Sequence, residues 1–429
     1  MTILIKIYLD LSDSVRKNKF IGDKRRLTTA KRKSQVCKSF KFKVLRSSLT
    51  SSQKEQLKMY FVESKWIYNY LLSHQDGLFD IKTKYKELVN ITHLDKDRNV
   101  VNVTISHVTS SIKQELIQII CNEIKGLSVL KKKGHNVGKL KFKSEINSIN
   151  LKQYGNTHSI RGSRFKIQGI KQPIRVSGLK QISKYKNIDF ANAKLLYDGY
   201  DYYITLTCYI DKEPEQNTEY KNDIIGLDFG VKTNITTSNG DKVTVLVRES
   251  DTLKKLQHKL ARQEKGSKSW YKTRSLIRKQ YTHLNNKKND FANKIVHKLL
   301  TENKIIVMQN EQISEWQQTD VMSEKVQHSV LGRIKSRLMQ SNRVVVLDKW
   351  YPTTKYCSNC GSEYDITLDE RTYICPTCGY KEDRDIHAAK NMIYFYQQYK
   401  DTVGTTDTSK PVKLRFTKNL LRSRKQQSL

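Results

Sequence analysis

Four cysteines in two C-x-x-C pairs, Cys357/Cys360 and Cys375/Cys378, are the residues of this chain whose type and spacing most directly specify chemistry. Fourteen residues separate the inner pair, close to a zinc-ribbon template, and Gly361 and Gly379 follow each second cysteine, where the chain must wrap around an ion. Four thiolates leave no open coordination position, so such a metal is structural; an iron–sulfur cluster is the alternative. Asp383-Arg384-Asp385 follow almost at once, so a metal-braced segment delivers a carboxylate to the head of an expected helix, Ile386 to Met392. N-capping explains Asp385 equally well locally. Asp228 sits in an apolar strand between Leu227 and Phe229, a costly place for a charge unless it binds a cation or is otherwise paired; the plainer reading is an Asp opening a turn at Gly230. With a strand-borne acid near residue 310, these make the set that two-metal phosphodiester cleavage requires: carboxylates from separate elements holding two Mg²⁺ about 3.5–4 Å apart.

The elements that must position these groups can be read from pattern. Residues 1–40 form a basic arm, with Lys24-Arg25-Arg26 and Lys31-Arg32-Lys33 and little apolar periodicity, and are expected to be disordered. From Ser52 the pattern turns helical. Ser52-x-x-Glu55 offers a capping box, and Leu57, Tyr60, Phe61, Ile67, Tyr68 and Leu71 recur at helical spacing. Ile112, Leu116, Ile119, Ile120 and Ile124 predict a second helix. Between Gly138 and Lys143 lysines alternate with Leu140 and Phe142, predicting a strand with a cationic face, open to backbone phosphates or to plain solvent. Residues 159–210 read as β structure ending in a hairpin with Asp198-Gly199 as its turn, and polar residues 211–223 read as a linker. Beyond it come an apolar strand from Ile224 to Gly230, a hairpin around Asn239-Gly240 and a basic helical stretch, Leu253 to Leu300, broken near Gly266. Strands at Ile305 to Met308 and Val344 to Leu347, with a helix around Val326 to Leu338, complete a mixed α/β domain. Residues 399–429 read as a basic tail without packing, also expected to be disordered.

The 79 Lys and Arg against 42 Asp and Glu give a net charge of +37, far beyond what solubility needs, so a polyanion, nucleic acid above all, is the default partner. Candidate contacts are Lys131, Lys132, Lys133, Lys139, Lys141, Lys143, Lys268 and Trp270, against the plain alternative of solvated faces. Arg384 is either a phosphate ligand or a salt-bridge partner of its flanking acids, and Tyr197 to Tyr203 either stack on unpaired bases or pack a barrel. No apolar run approaches the ~20 residues of a membrane span, and Met1 to Leu9 is too short for a secretory signal, so no membrane partner is expected. Cys37, Cys121 and Cys208 are scattered and read as inert thiols.

Gly226-Leu227-Asp228-Phe229-Gly230, Lys265-Gly266-Ser267-Lys268-Ser269-Trp270, Lys288-Asn289-Asp290-Phe291, Pro352-Thr353-Thr354-Lys355, the cysteine pairs and Asp383-Arg384-Asp385-Ile386-His387-Ala388-Ala389 occur in the order seen in TnpB. The chain therefore resembles that family of RNA-guided endonucleases of insertion sequences, related to miniature type V CRISPR effectors. The resemblance is specific over about residues 224–400 and looser over 40–210. It implies an α/β multidomain protein: a wedge-type β-barrel with a helical recognition insertion over 41–210 (helical part about 52–130), then a RuvC-like nuclease of RNase H fold over 224–350 and 383–398, with the zinc ribbon inserted at 351–382. It also implies Asp228 and Asp385 as first and third catalytic acids on two Mg²⁺, a guide RNA, and a double-stranded DNA target read beside a short flanking motif. The protein would act in the bacterial cytosol or nucleoid, as a monomer or homodimer on the RNA.

The second acid departs from the pattern. Many members have a strand ending in Glu-Asp-Leu, and ungapped alignment puts Gln309 on that Glu, whereas this chain reads Val307-Met308-Gln309-Asn310-Glu311. Strand alternation puts Gln309 and Glu311 on one side, about 6.6 Å apart, so a small register shift brings Glu311 to the metals. Glu311 is the favoured catalytic acid; Gln309 in its place would leave a crippled site. His387 stands where Asn is usual. Two other readings stay open, a nuclease-dead RNA-guided repressor and an RNA-independent transposase.

Overall fold

The computed structural model describes residues 27–95, 99–211, 219–318, 320–367, 369–403 and 412–414. The expected disorder of residues 1–26 and of most of the tail lies outside them. The chain divides into two compact units, Met1–Gln216 and Asn217–Leu429.

The first unit is built on strands β1 (Gln35–Val44), β4 (Ser148–Leu151), β5 (His158–Arg161), β6 (Arg164–Ile167), β7 (Ile174–Ser177), β8 (Ile188–Tyr197) and β9 (Tyr202–Asp211), in the order β4-β8-β9-β1-β7-β6-β5, all antiparallel. The sheet curls into a nearly closed barrel: His158 on β5 donates from Nε2 to the Ala191 carbonyl of β8, 3.0 Å away. Part of the expected disordered arm is therefore central structure. Residues 27–33 form helix α1, and β1 lies between β9 and β7 because Phe40, Phe42 and Val44 alternate into the core while the intervening lysines face out. The β8–β9 turn is held by Asp198, whose Oδ1 accepts from the Tyr200 and Asp201 amides at 2.9 and 2.7 Å.

Helices α2 (Ser51–Ser73), α3 (Ile81–Glu87) and α4 (Ser110–Lys132), with the hairpin β2 (Asn90–Leu94)–β3 (Val100–Thr104), lie between β1 and β4 in sequence; a short helix, α5 (Lys180–Ser183), precedes β8. Helical and barrel residues share one apolar cluster, with Leu57, Tyr60 and Ile120 beside Phe42, Phe165 and Leu206. The capping box is Thr50 with Gln53, not Ser52 with Glu55: Thr50 Oγ1 accepts from the Gln53 amide and Gln53 Oε1 from the Thr50 amide. The expected strand over Gly138 to Lys143 is absent. That segment is irregular, since its alternating lysines find no partner strand, Phe142 stays exposed, and Lys143 is drawn to Glu123 (3.3 Å) and the Tyr68 ring (3.7 Å).

The second unit holds a six-stranded sheet of β10 (Asn222–Phe229), β11 (Ile235–Thr237), β12 (Lys242–Val243), β13 (Asn303–Gln309), β14 (Val344–Leu347) and β17 (Val412–Leu414), ordered β12-β11-β10-β13-β14-β17. Strands β10, β13, β14 and β17 run parallel, with β11 and β12 antiparallel beyond β10. The tail thus contributes the last strand, with Leu414 buried, against the expectation of an unpacked segment. Helices α6 (Asp251–Ala261) and α7 (Lys268–Glu302) are separated at Gly266, whose φ of +94° suits glycine; α8 (Asp320–His328) and α9 (Leu331–Leu338) follow β13. Leu227, Phe229 and Met308 pack with α7 and α9 on one face, and Val307 and Val345 pack with α10 (Arg384–Val403) on the other. Between β14 and α10 the hairpin β15 (Thr372–Ile374)–β16 (Lys381–Asp383) carries the second cysteine pair's surroundings. Among the described residues no helix is long and apolar enough to cross a membrane.

Candidate active site and metal centre

The four cysteine sulfurs lie within 4.8 Å of one another. Cys357 Sγ is 3.7 Å from Cys378 Sγ, and Cys360 Sγ is 3.5 Å from Cys375 Sγ. Zn–S bonds of about 2.3 Å in a tetrahedron put sulfurs roughly 3.8 Å apart, so the cluster fits zinc. Each pair wraps in the same way: the Gly361 amide donates to the Cys357 carbonyl (2.8 Å) and the Gly379 amide to the Cys375 carbonyl (2.9 Å), with both glycines at positive φ, +76° and +72°. Asn359 Nδ2 donates to Cys378 Sγ (3.4 Å), and Ser362 Oγ lies 3.1 and 3.3 Å from the sulfurs of Cys360 and Cys375, a polar shell suited to thiolates.

The carboxylates come from three elements. Asp228 is next to last on β10, on the face toward α10 that it shares with Gly226. A Cβ built on Gly226 would lie 1.9 Å from the Ala389 carbonyl oxygen, so only glycine lets α10 come this close to β10. Asp385 is in the first turn of α10. The capping role is taken by Asp383, whose Oδ1 accepts from the amides of Asp385 (3.1 Å) and Ile386 (3.2 Å) and whose Oδ2 pairs with Lys242 at 2.7 Å. The Asp385 carboxylate is therefore not spent on the helix end. Glu311 follows β13 in a tight turn, its amide donating to the Gln309 carbonyl at 2.9 Å. Lys335 of α9 holds that turn, donating from Nζ to the Glu311 carbonyl and to Asn310 Oδ1 (3.1 Å).

The other acids act on Asp228. Burial, then repulsion from Asp385 and Glu311, pushes the Asp228 carboxyl well above the usual carboxylate range, with Asp383 adding and Arg384 opposing. Burial also raises Glu311, against the ammonium groups of Lys335 and Lys349. Asp228 thus stands where negative charge is crowded and poorly compensated, and an all-oxygen donor set of this kind suits a hard divalent cation. Among the described residues the cysteines are the one group drawn to single-ion spacing; the three carboxylates are not closed to that degree.

Gln309 is occupied elsewhere. Buried at 6% exposure, it donates from Nε2 to the carbonyls of Asp348 (3.2 Å), Lys349 (3.1 Å) and Tyr351 (2.9 Å), and its Oε1 accepts from Thr353 Oγ1 (2.9 Å). His387 is fully buried, stacked on Tyr373 at 3.9 Å and donating from Nε2 to the Tyr356 carbonyl at 2.9 Å, which ties α10 to the cysteine-bearing segment. Sequence reading missed Lys335, Lys349 and the Gln309 anchor, since their partners are distant in the chain. Of the expected nucleic-acid contacts, Lys131 and Lys132 end α4 and Lys133 follows it, all exposed, as are Lys139, Lys141 and Lys268. Trp270 is partly buried, with the Arg274 guanidinium 5.2 Å from its ring. Arg384 donates from Nη1 to the Thr367 carbonyl (3.2 Å), and its Nε lies 3.7 Å from Asp385 Oδ1.

Fold and site together define an α/β protein with a four-cysteine centre that fits zinc, beside a crowded set of acids. Residues 207–314 match a family model described as "Probable transposase" (OrfB_IS605), and residues 334–392 match "Cas12f1-like, TNB domain". A protein of Streptomyces pristinaespiralis named "Putative RNA-guided DNA endonuclease" is 26% identical over 178 residues, 39% of this chain and 44% of that protein. The chain thus spans less than half the length of this curated relative. A solved structure, "Cryo-EM structure of the Cas12f1-sgRNA-target DNA complex", aligns with a TM-score of 0.43 at 11% identity, over 84% of this chain and 99% of that one. The chain is TnpB-like.

Proposed function

We propose that the chain is an RNA-guided DNA endonuclease of a transposable element, its second unit a RuvC-like nuclease of RNase H fold and its first a wedge-type barrel with a helical recognition insertion. The observation that carries this reading is the buried Asp228 carboxyl, raised by burial and by the charges of Asp385 and Glu311, the three acids coming from separate parts of one sheet-and-helix unit. The name of the Streptomyces relative supports the guide RNA and the DNA target. Asp228, Asp385 and Glu311 would hold two Mg²⁺ ions, which supply, when bound, an activated water and a stabilised leaving oxygen. The chain's own part is placement. The Gly226–Ala389 approach sets Asp385 against Asp228, Asp383 caps α10 in place of Asp385, and Lys335 fixes the turn that carries Glu311. The target would be cut beside a short flanking motif, with sequence read by the guide and duplex shape by the protein.

The test is purification of the full chain with its co-purifying nucleic acid, sequencing of that RNA, and cleavage of matched DNA with and without Mg²⁺. Asp228→Asn, Asp385→Asn and Glu311→Gln should each slow cleavage roughly 100-fold or more, about 2.7 kcal/mol of barrier. A second reading, guided DNA binding without cleavage, is favoured by one observation: the parallel register Leu227↔Met308 sets Gln309, not a carboxylate, across from Asp228. Tight guided binding with no Mg²⁺-dependent product would select it, and absence of any discrete RNA would select a transposase instead.

A further inference from the structure

We propose that the loop after β14 presents Trp350 as a stacking platform for one unpaired base of the DNA strand that enters the carboxylate site. The strand's destination rests on the nuclease reading above; the binding of the base does not. Trp350 is 67% exposed although the next residue, Tyr351, is 3% exposed. The backbone that displays it is pinned from beneath by the three hydrogen bonds from Gln309 to the carbonyls of Asp348, Lys349 and Tyr351, and by those of the Tyr351 amide to the Asp348 carbonyl (3.2 Å) and the Thr353 amide to the Tyr351 carbonyl (2.8 Å). A buried amide is thus committed to holding rigid a loop whose most prominent side chain faces water, so little backbone freedom is left to be lost when a flat ligand settles on the indole. Lys349 Nζ lies 4.9 Å from the Trp350 ring centroid, and the same ammonium acts on the Glu311 carboxyl, which places the platform at the carboxylate end of the sheet.

A largely exposed aromatic ring with a cation over it suits a nucleotide, base on the ring surface left open and phosphate toward the ammonium. A duplex keeps both faces of its bases covered, so the geometry selects a single strand.

The test is equilibrium binding of a labelled oligothymidylate by the purified full chain without added Mg²⁺, over a salt series. Stacking on one aromatic side chain predicts that Trp350→Ala weakens binding about 5- to 150-fold at every salt concentration, with the slope of log affinity on log salt unchanged, while Trp350→Phe retains most of the affinity. Lys349→Ala should instead lower that slope by about 0.7, one phosphate contact on a single strand. Duplex DNA should bind all three variants almost as it binds the parent, apart from the charge lost at Lys349. The proposal is overturned if Trp350→Ala binds as the parent does, if Trp350→Phe loses as much as Trp350→Ala, or if duplex or an RNA oligomer loses as much as the DNA strand. An absence of cleavage with these differences intact would remove the nuclease reading and leave the platform standing.

Discussion

Replacing Gln309 by Glu restores a carboxylate at the position where the family resemblance expects one, and the structure gives reason to expect damage rather than gain. The amide sends three hydrogen bonds from Nε2 into the carbonyls of Asp348, Lys349 and Tyr351 and receives one from Thr353 Oγ1. An ionised carboxyl keeps only the last of these. It loses both amide N–H donors, which the three carbonyls share, and sets its charge against three carbonyl dipoles at a position 6% exposed. At about 1 kcal/mol for each of the two donors and a further 1–2 for the misplaced charge, Gln309→Glu should cost about 3–4 kcal/mol. In a unit of this size that is a fall in Tm of roughly 6–16 °C. Forced to share a site with carbonyls, the introduced carboxyl would have a folded pKa above its unfolded value of about 4.3, so the deficit against wild type is greatest at neutral pH and shrinks as pH falls. Gln309→Met, which removes the bonds without adding charge, should cost less at pH 8 and show no such pH dependence. Thermal melts of the three proteins at pH 5 and pH 8, paired with Mg²⁺-dependent cleavage, decide the matter. A Gln309→Glu protein that melts within about 2 °C of wild type and cleaves faster would refute the reasoning, because its carboxyl would then face Asp228 and not the loop.

His158 is buried neutral in the closure of the barrel, its pKa lowered by burial to about 4 from 6.5. The unfolded chain therefore binds the extra proton first: stability is whole above pH 6.5 and falls by about 3 kcal/mol as pH drops to 4, a slope that urea melts of His158→Gln should lack. Glu63, 1% exposed, accepts from the amides of Ser106, His107 and Val108, so Glu63→Ala should cost roughly 3 kcal/mol by denaturant melt and Glu63→Gln less; equal costs would deny the carboxylate that role. Elemental analysis should find one zinc per chain, lost in Cys375→Ser together with protection of residues 351–382 from protease; iron in place of zinc would overturn the ribbon reading.

Local signals were readable where a turn or a periodicity carries them. Asp198-Gly199 and Asn239-Gly240 mark tight turns, Gly266 divides a basic helical stretch, and the apolar spacing of Leu57 to Leu71 gives a helix. Elements that depend on a distant partner were not readable. Val412–Leu414 is too short to announce itself and is a strand because β14 offers an open parallel edge. Lys139 to Lys143 alternates as a strand should, yet no strand pairs with it, and the Lys143 amide goes instead to the Asn69 side chain at 2.8 Å. The same distinction runs through the site. The cysteine spacing is local and predicts a cluster that four close sulfurs satisfy, whereas nothing near Gln309 announces that its amide is claimed by carbonyls beyond β14. Asp383, read as one of a pair of acids, is the helix cap, and only the folded geometry separates its task from that of Asp385.

The contact of Gly226 with Ala389 bears on how this protein can change over generations. Helices normally stand off a sheet by the thickness of the side chains between them, so each exchange of a core residue shifts the spacing by tenths of an ångström. At Gly226 main chain rests on main chain, and the spacing is set by atoms that substitutions elsewhere do not alter. Drift among Ile224, Val307, Val345 and the other apolar residues of that face can proceed while the offset between Asp228 and Asp385 is held. The tolerance of the surrounding core is purchased at a single codon, and Gly226 is the position at which lineages should be least free to vary.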